Sequence, residues 1–178
     1  MKKLLTKKSL VISLMIFSLV VFTVTWSNAA GGNTVRARLN GYEETPLSLS
    51  TNGSGIFSAS IDDAAQTITY SLSYFHLEGT TTTAAHIHLG QRRTTGGVSA
   101  FLCGGGDKPA CTPGGGTVTG VIDAADVIGP AGQGIAPGEF NELVRAIRSG
   151  NTYANVHTNM YPGGEIRGQI RGDDNDDE

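Results

Sequence analysis

The chain has 178 residues, 16% of them charged, and a formal net charge of −3. The four lysines of its first eight residues are its only charges before residue 31, so the rest carries nine basic and sixteen acidic side chains, a net charge of −7. This balance argues against nucleic-acid binding, which requires a basic face. The remaining length suffices for one domain with a hydrophobic core.

The first thirty residues have the three parts of a secretory signal peptide. A basic start precedes an apolar run over residues 10–24, and small residues follow at 27–30. The run is ~15 residues long, whereas a membrane span needs about 20, so cleavage after Ala29 or Ala30 is favoured over a retained anchor. No cysteine lies near that junction to carry a lipid anchor. We therefore predict a secreted protein, extracellular or periplasmic, with no membrane span after the signal is removed.

Period-two alternation of apolar and polar residues dominates the rest of the chain. Successive side chains of a strand point to opposite faces, so this pattern predicts half-buried β-strands. Their density and the turn-rich segments between them favour a sandwich or a closed sheet over βαβ units. The predicted strands cover residues 34–39, 55–61, 67–74, 84–89, 97–103, 117–122, 153–158 and 165–170.

Two of these strands carry more detailed expectations. Strand 55–61 is expected to pair with strand 67–74 as a hairpin, through a turn at residues 62–64. In strand 165–170, Ile166 and Ile170 are expected to face the core. Glu165, Arg167 and Gln169 are then expected to face outward, where ion pairing or solvent exposure accounts for the two charges.

Two cysteines, Cys103 and Cys111, are the only ones in the chain. An exported chain meets an oxidising compartment, and the seven intervening residues are rich in glycine and proline, which lets the loop turn back. The spacing fits neither a CxxC redox motif nor a zinc knuckle. We predict a structural disulfide that closes this loop.

One segment follows the 3.6-residue period of a helix instead. Phe140, Leu143, Val144 and Ile147 form one apolar stripe, which predicts a helix over about residues 138–149 that covers an open end of the core. Beyond the domain, predicted to span residues 31–172, the acidic run 173–178 is predicted to be disordered. A free tail cannot supply a rigid calcium cage, so we expect no calcium site there.

The histidines are the main candidates for chemistry. His86 and His88 lie two residues apart on a predicted strand, so both imidazoles share one face and can converge on one metal ion. His157, on another predicted strand, is the natural third ligand, and His76, at the end of a strand, is a weaker fourth. The alternative is that these rings only donate N–H groups to backbone carbonyls and fix loops. No cofactor is certain, but a bound metal would be copper or zinc.

Nothing in the sequence indicates nucleophilic catalysis. There is no GxSxG motif, and the predicted disulfide leaves no free cysteine. The glycine clusters at residues 104–106 and 114–116 do not continue into the Lys-Ser/Thr of a phosphate-binding loop. The enzyme question stays open at this stage, with a non-enzymatic protein favoured.

Four segments together resemble the CHRD (chordin-type) domain family. Residues 39–46 (LNGYEETP) resemble its L-x-G-x-x-E-x-P opening, and residues 84–90 (AAHIHLG) with 96–98 (GGV) resemble its AHIHxG…GxV centre. Residues 151–158 (NTYANVHT) and 161–170 (YPGGEIRGQI) resemble its YVNVHT and NPGGEIRGQ motifs. Structural roles are expected for the motif residues Gly90, Asn155, Pro162, Gly163, Gly164, Glu165 and Arg167.

The resemblance implies an immunoglobulin-like Greek-key β-sandwich with a distant similarity to Cu,Zn superoxide dismutases. In chordin, such repeats belong to an extracellular antagonist of signalling proteins. This implies a non-enzymatic binding or structural module whose partner is an unidentified extracellular protein or surface component. We expect the module to be a monomer.

The dismutase comparison rests on His86 and His88, which match the HxH copper pair. A dismutase also needs a bridging histidine, further zinc ligands including an aspartate, and another copper histidine. Only His157 and His76 are left for these roles. The histidine count therefore argues against dismutase activity, but it leaves a mononuclear copper or zinc site as the alternative function.

Overall fold

The structure is a computed structural model that describes residues 33–172. The predicted signal peptide and the acidic tail lie outside the described residues. Within residues 33–172, none of the helices has the length and hydropathy of a membrane span.

Nine strands and one α-helix make up this part of the chain, in close agreement with the expected all-β architecture. The last predicted strand, 165–170, corresponds to a strand over Ile166–Gln169, and a further two-residue strand that was not predicted follows at Arg171–Gly172. The elements are β1 Thr34–Asn40, β2 Ser54–Asp62, β3 Thr67–Phe75, β4 Thr82–Leu89, β5 Val98–Cys103, β6 Gly116–Ile122, α1 Phe140–Arg148, β7 Thr152–Thr158, β8 Ile166–Gln169 and β9 Arg171–Gly172.

Antiparallel pairing joins these strands into one sheet. The order is β5-β4-β7-β8-β1-β2-β3-β6, and β9 pairs with β1. The β2–β3 hairpin is confirmed, with paired positions from Ser54↔Phe75 to Asp62↔Thr67. The two end strands, β5 and β6, contact each other, so the sheet is nearly closed.

The core lies inside this nearly closed sheet. The inward residues of each strand are buried, as Val35, Ala37 and Leu39 illustrate on β1. Helix α1 adds its predicted stripe, Phe140, Leu143, Val144 and Ile147, to the same hydrophobic core. Alternation in the strands and the 3.6-residue period in the helix thus direct apolar side chains to a common interior.

The two ends of the sheet are tied together near the predicted disulfide, which is present between Cys103 and Cys111. Cys103 ends β5, and Cys111 precedes β6. Two tyrosines of β3 support the same junction. The hydroxyl of Tyr70 donates to the carbonyl of Leu102 at 2.7 Å, and that of Tyr74 donates to the carbonyl of Thr112 at 2.9 Å.

The prediction that Glu165 and Arg167 face solvent is wrong. They are 0% and 2% exposed, although Ile166 does face the core as expected. On the face of the sheet opposite the core, Arg167 donates hydrogen bonds to the hydroxyl of Thr45 and to the carbonyl of Gln91. The loops that carry Thr45 and Gln91 therefore lie over Arg167. Around Glu165 and Arg167, the face of the sheet opposite the hydrophobic core is therefore also buried. We call this region the polar interior.

Candidate metal centre

Strands β4 and β7 are hydrogen-bonded neighbours, and their pairing brings three histidines together. His86 and His88 alternate on β4 with the buried Ala85 and Ile87. His157 lies on β7, where His86 pairs with Asn155 two residues before it. One ring nitrogen from each histidine lies within 4.8 Å of the other two. The predicted trio thus forms one cluster, which we call the histidine cluster.

Backbone carbonyls fix the protonation of two of these rings. Nδ1 of His88 lies 3.0 Å from the carbonyl oxygen of Gly96, and Nδ1 of His157 lies 3.0 Å from that of Pro162. A carbonyl can only accept, so in each ring Nδ1 must carry the hydrogen. Nε2 of a neutral ring then has a free lone pair, which is the form that ligates a metal.

Three nitrogens of the histidine cluster are buried and have no hydrogen-bond partner. They are Nε2 of His88, Nε2 of His157 and Nδ1 of His86. A buried polar atom without a partner normally costs free energy. Unpartnered nitrogens on three metal-ligating side chains that meet in one cluster fit a metal-binding site.

The surroundings hold these imidazoles in the neutral form. Burial, assisted by the nearby His157 and His88, lowers the pKa of His86 to about 3. Burial lowers the pKa of His88 to about 4 against the opposing effect of its bond to Gly96, and it also lowers the pKa of His157. All three rings are therefore unprotonated near neutral pH and free to bind a cation.

Aromatic rings enclose the histidine cluster. Phe101 packs edge-on against His86, with 4.6 Å between ring centroids. Tyr153 stacks on His88 at 4.8 Å, and its hydroxyl accepts the N–H of Gly96 at 3.1 Å. Position 96 requires glycine, because a Cβ there would collide with the carbonyl oxygen of Leu89. These contacts orient His88 from both its ring face and its Nδ1.

Two buried ionisable residues, Arg167 and Glu44, lie next to the histidine cluster. The guanidinium of Arg167 lies over the Tyr153 ring, 3.5 Å from its centroid. Glu44, 6% exposed, accepts a long hydrogen bond of 3.5 Å from the amide of Asn155. Burial raises the pKa of Glu44 to about 7, although Arg167 and Asn155 act to lower it.

Glu165, the other buried carboxylate, is fully occupied with the backbone and one hydroxyl. It accepts hydrogen bonds from the N–H groups of Glu78 at 2.6 Å and Gly79 at 3.2 Å, and from the hydroxyl of Thr158 at 2.7 Å. It thereby ties the loop after β3 to the end of β7. This is a structural role, and it replaces the exposed one that the alternation predicted.

A turn follows Pro162, closed by a 3.1 Å hydrogen bond from the N–H of Gly164 to the carbonyl of Tyr161. Gly164 has φ +127°, and a Cβ there would lie 2.6 Å from the amide of Asn155. Gly90 is similarly confined, since its Cβ would lie 2.9 Å from the Tyr153 ring. The motif glycines at 90 and 164 therefore make room for the polar interior.

The weaker candidate, His76, lies apart from the others. It follows β3 with φ +56°, and among residues 33–172 the group of potential ligands contains only His86, His88 and His157. The sequence reasoning overlooked Tyr153 and Phe101. Tyr153 could have been found, because it precedes Asn155 and His157 in the same alternation on β7.

Comparison with known proteins adds one match. A family model described as the CHRD domain matches residues 35–170. This range covers most of the chain and includes the histidine cluster and the polar interior. No curated protein and no solved structure matches the chain.

Proposed function

Because the chain belongs to the CHRD domain family, we propose that it is a non-enzymatic extracellular module that holds one copper or zinc ion. The ligands are His86, His88 and His157. The observation that carries this proposal is the set of three buried, unpartnered ring nitrogens in one cluster.

The competing interpretation gives these histidines a purely structural role. The bonds of His88 to Gly96 and of His157 to Pro162 agree with that interpretation. It leaves a buried nitrogen of each ring without a partner, however, whereas a bound metal ion would account for this. Second-sphere carbonyls that accept Nδ1–H are also typical of metal-ligating histidines, so the metal interpretation accounts for both observations.

A mononuclear site fits the available donors better than a dismutase site does. A binuclear centre needs more ligands than the cluster supplies, and His76 lies outside it. Three histidine nitrogens are a common ligand set for a single copper or zinc ion. Dismutase activity is therefore not part of the proposal.

Several features support an extracellular module. The CHRD family assignment and the Cys103–Cys111 disulfide fit secretion.

We propose that the module is monomeric and that its partner is an extracellular protein or surface component. We further propose that this sheet is an immunoglobulin-like Greek-key sandwich, and the sparse pairing of β1 with β8, at Asn40↔Arg167, supports a division of the sheet there, although β9 continues the pairing at Val35 and Arg36.

Metal analysis tests the proposal. The secreted protein, purified without a histidine tag, is equilibrated with Cu or Zn, passed through a desalting column and analysed by mass spectrometry for bound metal. We expect one equivalent per chain in the wild type and in His76→Ala, and little metal in His88→Ala. Metal-free wild-type protein whose melting temperature does not respond to either ion would refute the site.

A further inference from the structure

We infer that the ion is copper and that the histidine cluster holds it as Cu(I) in preference to a divalent ion. This inference rests on the proposed metal site and adds the identity and charge of its occupant.

The charge of the ligands favours a monovalent ion. The cluster offers three neutral imidazoles, and no carboxylate or thiolate belongs to it among the described residues. Glu165 is saturated by other donors, and both cysteines form the disulfide. The ligands themselves therefore neutralise none of the charge of a bound cation in this partly buried site. The desolvation cost of an ion rises steeply with its charge, so a monovalent ion is favoured.

The fixed positive charge of Arg167 also disfavours a divalent ion. Its guanidinium lies 3.5 Å from the Tyr153 ring centroid, and that ring stacks on His88 with a centroid separation of 4.8 Å. Arg167 is 2% exposed, so solvent screens its charge poorly. For an ion beyond the His88 ring, on the order of 10 Å from the guanidinium, an effective dielectric constant near 20 makes the repulsion disfavour each additional positive charge by roughly tenfold in affinity. A divalent ion experiences this repulsion twice.

The number of ligands in the histidine cluster suits Cu(I) as well. A structural Zn(II) site takes four tetrahedral ligands, and Cu(II) prefers a tetragonal arrangement of nitrogen and oxygen donors. Cu(I) has a filled d shell and is stable with two or three ligands. Phe101 against His86 and Tyr153 against His88 occupy space around the cluster. A three-coordinate ion therefore suits the site.

Competition titrations test the inference with each metal alone. Under anaerobic conditions the apoprotein is titrated with Cu(I) against bicinchoninate, and in parallel with Zn(II) against a chromophoric zinc chelator. We expect one Cu(I) per chain, bound at least tenfold more tightly than Zn(II). A smaller preference, or tighter binding of Zn(II), overturns the inference while the metal site stands. Failure of both ions to bind removes the site itself.

A pair of variants tests the role of charge. In Arg167→Gln the preference for Cu(I) over Zn(II) should fall about tenfold, whereas Arg167→Lys, which keeps the charge, should retain it. An unchanged preference in folded Arg167→Gln contradicts the electrostatic argument. Should that variant not fold, X-ray absorption of the copper-loaded wild type decides. Three nitrogen neighbours support a three-coordinate Cu(I) site, and four or more ligands overturn it.

Discussion

The phenol ring of Tyr153 lies parallel to the imidazole of His88, with 4.8 Å between centroids and 6° between planes. The guanidinium of Arg167 lies over the same phenol ring, so the two groups occupy its opposite faces. The Tyr153 hydroxyl bonds to Gly96, whose carbonyl in turn faces Nδ1 of His88. Tyr153 and Gly96 together therefore set both the orientation and the tautomer of His88.

Replacing Tyr153 tests this arrangement. Tyr153→Leu removes both the stacking and the hydroxyl, and we expect it to weaken metal binding at least tenfold and to lower the free energy of unfolding by about 2–3 kcal/mol. Tyr153→Phe keeps the ring and should cost only about 1 kcal/mol. Urea denaturation and metal competition measure the two effects. Wild-type metal affinity in a folded Tyr153→Leu protein would show that the stack does not position His88.

The metal-free protein should lose stability in mild acid. The pKa values of His86, about 3, and His88, about 4, lie below the ordinary value of 6.5, and that of His157 is lowered too. The unfolded chain therefore binds more protons than the folded one below pH 6.5. The stability present above pH 6.5 is lost as the pH falls through about 4 and 3.

Urea denaturation of the apoprotein at pH 7.5, 6, 5 and 4 measures this loss. A His88→Phe variant should show a shallower decline, because one of the three buried rings no longer titrates. His76→Asn serves as a control, since His76 lies outside the cluster. Equal slopes in the wild type and His88→Phe would contradict the assignment of the acid sensitivity to His88.

Much of the fold could be predicted from local pattern. The period of two placed His86 and His88 on one face of β4, and the apolar stripe from Phe140 to Ile147 predicted α1. The glycine- and proline-rich spacing of two cysteines, in a chain predicted to be exported, predicted the disulfide. Each of these features depends on residues close together in the sequence, so a local pattern is sufficient to predict it.

The polar interior could not be predicted in the same way. Arg167 alternates with buried Ile166, and on an isolated strand that pattern indicates a solvent-exposed charge. Its burial depends on Thr45 and Gln91, which belong to irregular loops distant in the sequence. No periodicity specifies where such loops lie. The enclosure of His88 by Tyr153 likewise requires the pairing of β4 with β7, which is a long-range contact.

Glu44 should give a pH dependence of the opposite sign to that of the histidines. Its pKa in the folded protein is about 7, above the ordinary 4.5, because burial disfavours the carboxylate. The folded state retains a proton that the unfolded state releases. This contribution to stability is complete below pH 4.5 and is lost as the pH rises through 7.

Glu44→Gln isolates this effect, because glutamine stays neutral and nearly isosteric. Urea denaturation gives the free energy of unfolding of both proteins at each pH. The value for Glu44→Gln minus that for the wild type should be more positive at pH 8 than at pH 5. The histidine contribution is common to the two proteins and cancels in the difference. A stability difference that does not change with pH would mean that Glu44 titrates normally.

The two glycines of the turn after Pro162 should respond differently to substitution. Gly164 has φ +127°, and a Cβ there would lie 2.6 Å from the Asn155 amide and 2.8 Å from Oε1 of Glu44. At Gly163 a Cβ would meet nothing within 4 Å, and φ is not positive. Strain and collision therefore fall on Gly164 alone.

We expect Gly164→Ala to lower the free energy of unfolding by more than about 2 kcal/mol, and Gly163→Ala to change it by less than about 0.5 kcal/mol. Gly164→Ala should also weaken metal binding, because Asn155, which its Cβ displaces, lies opposite His86 and two residues before His157. Thermal melting and metal competition on both variants measure these effects. Comparable losses in the two alanine variants would mean that the turn as a whole, and not the close approach of Gly164 to Asn155, limits stability.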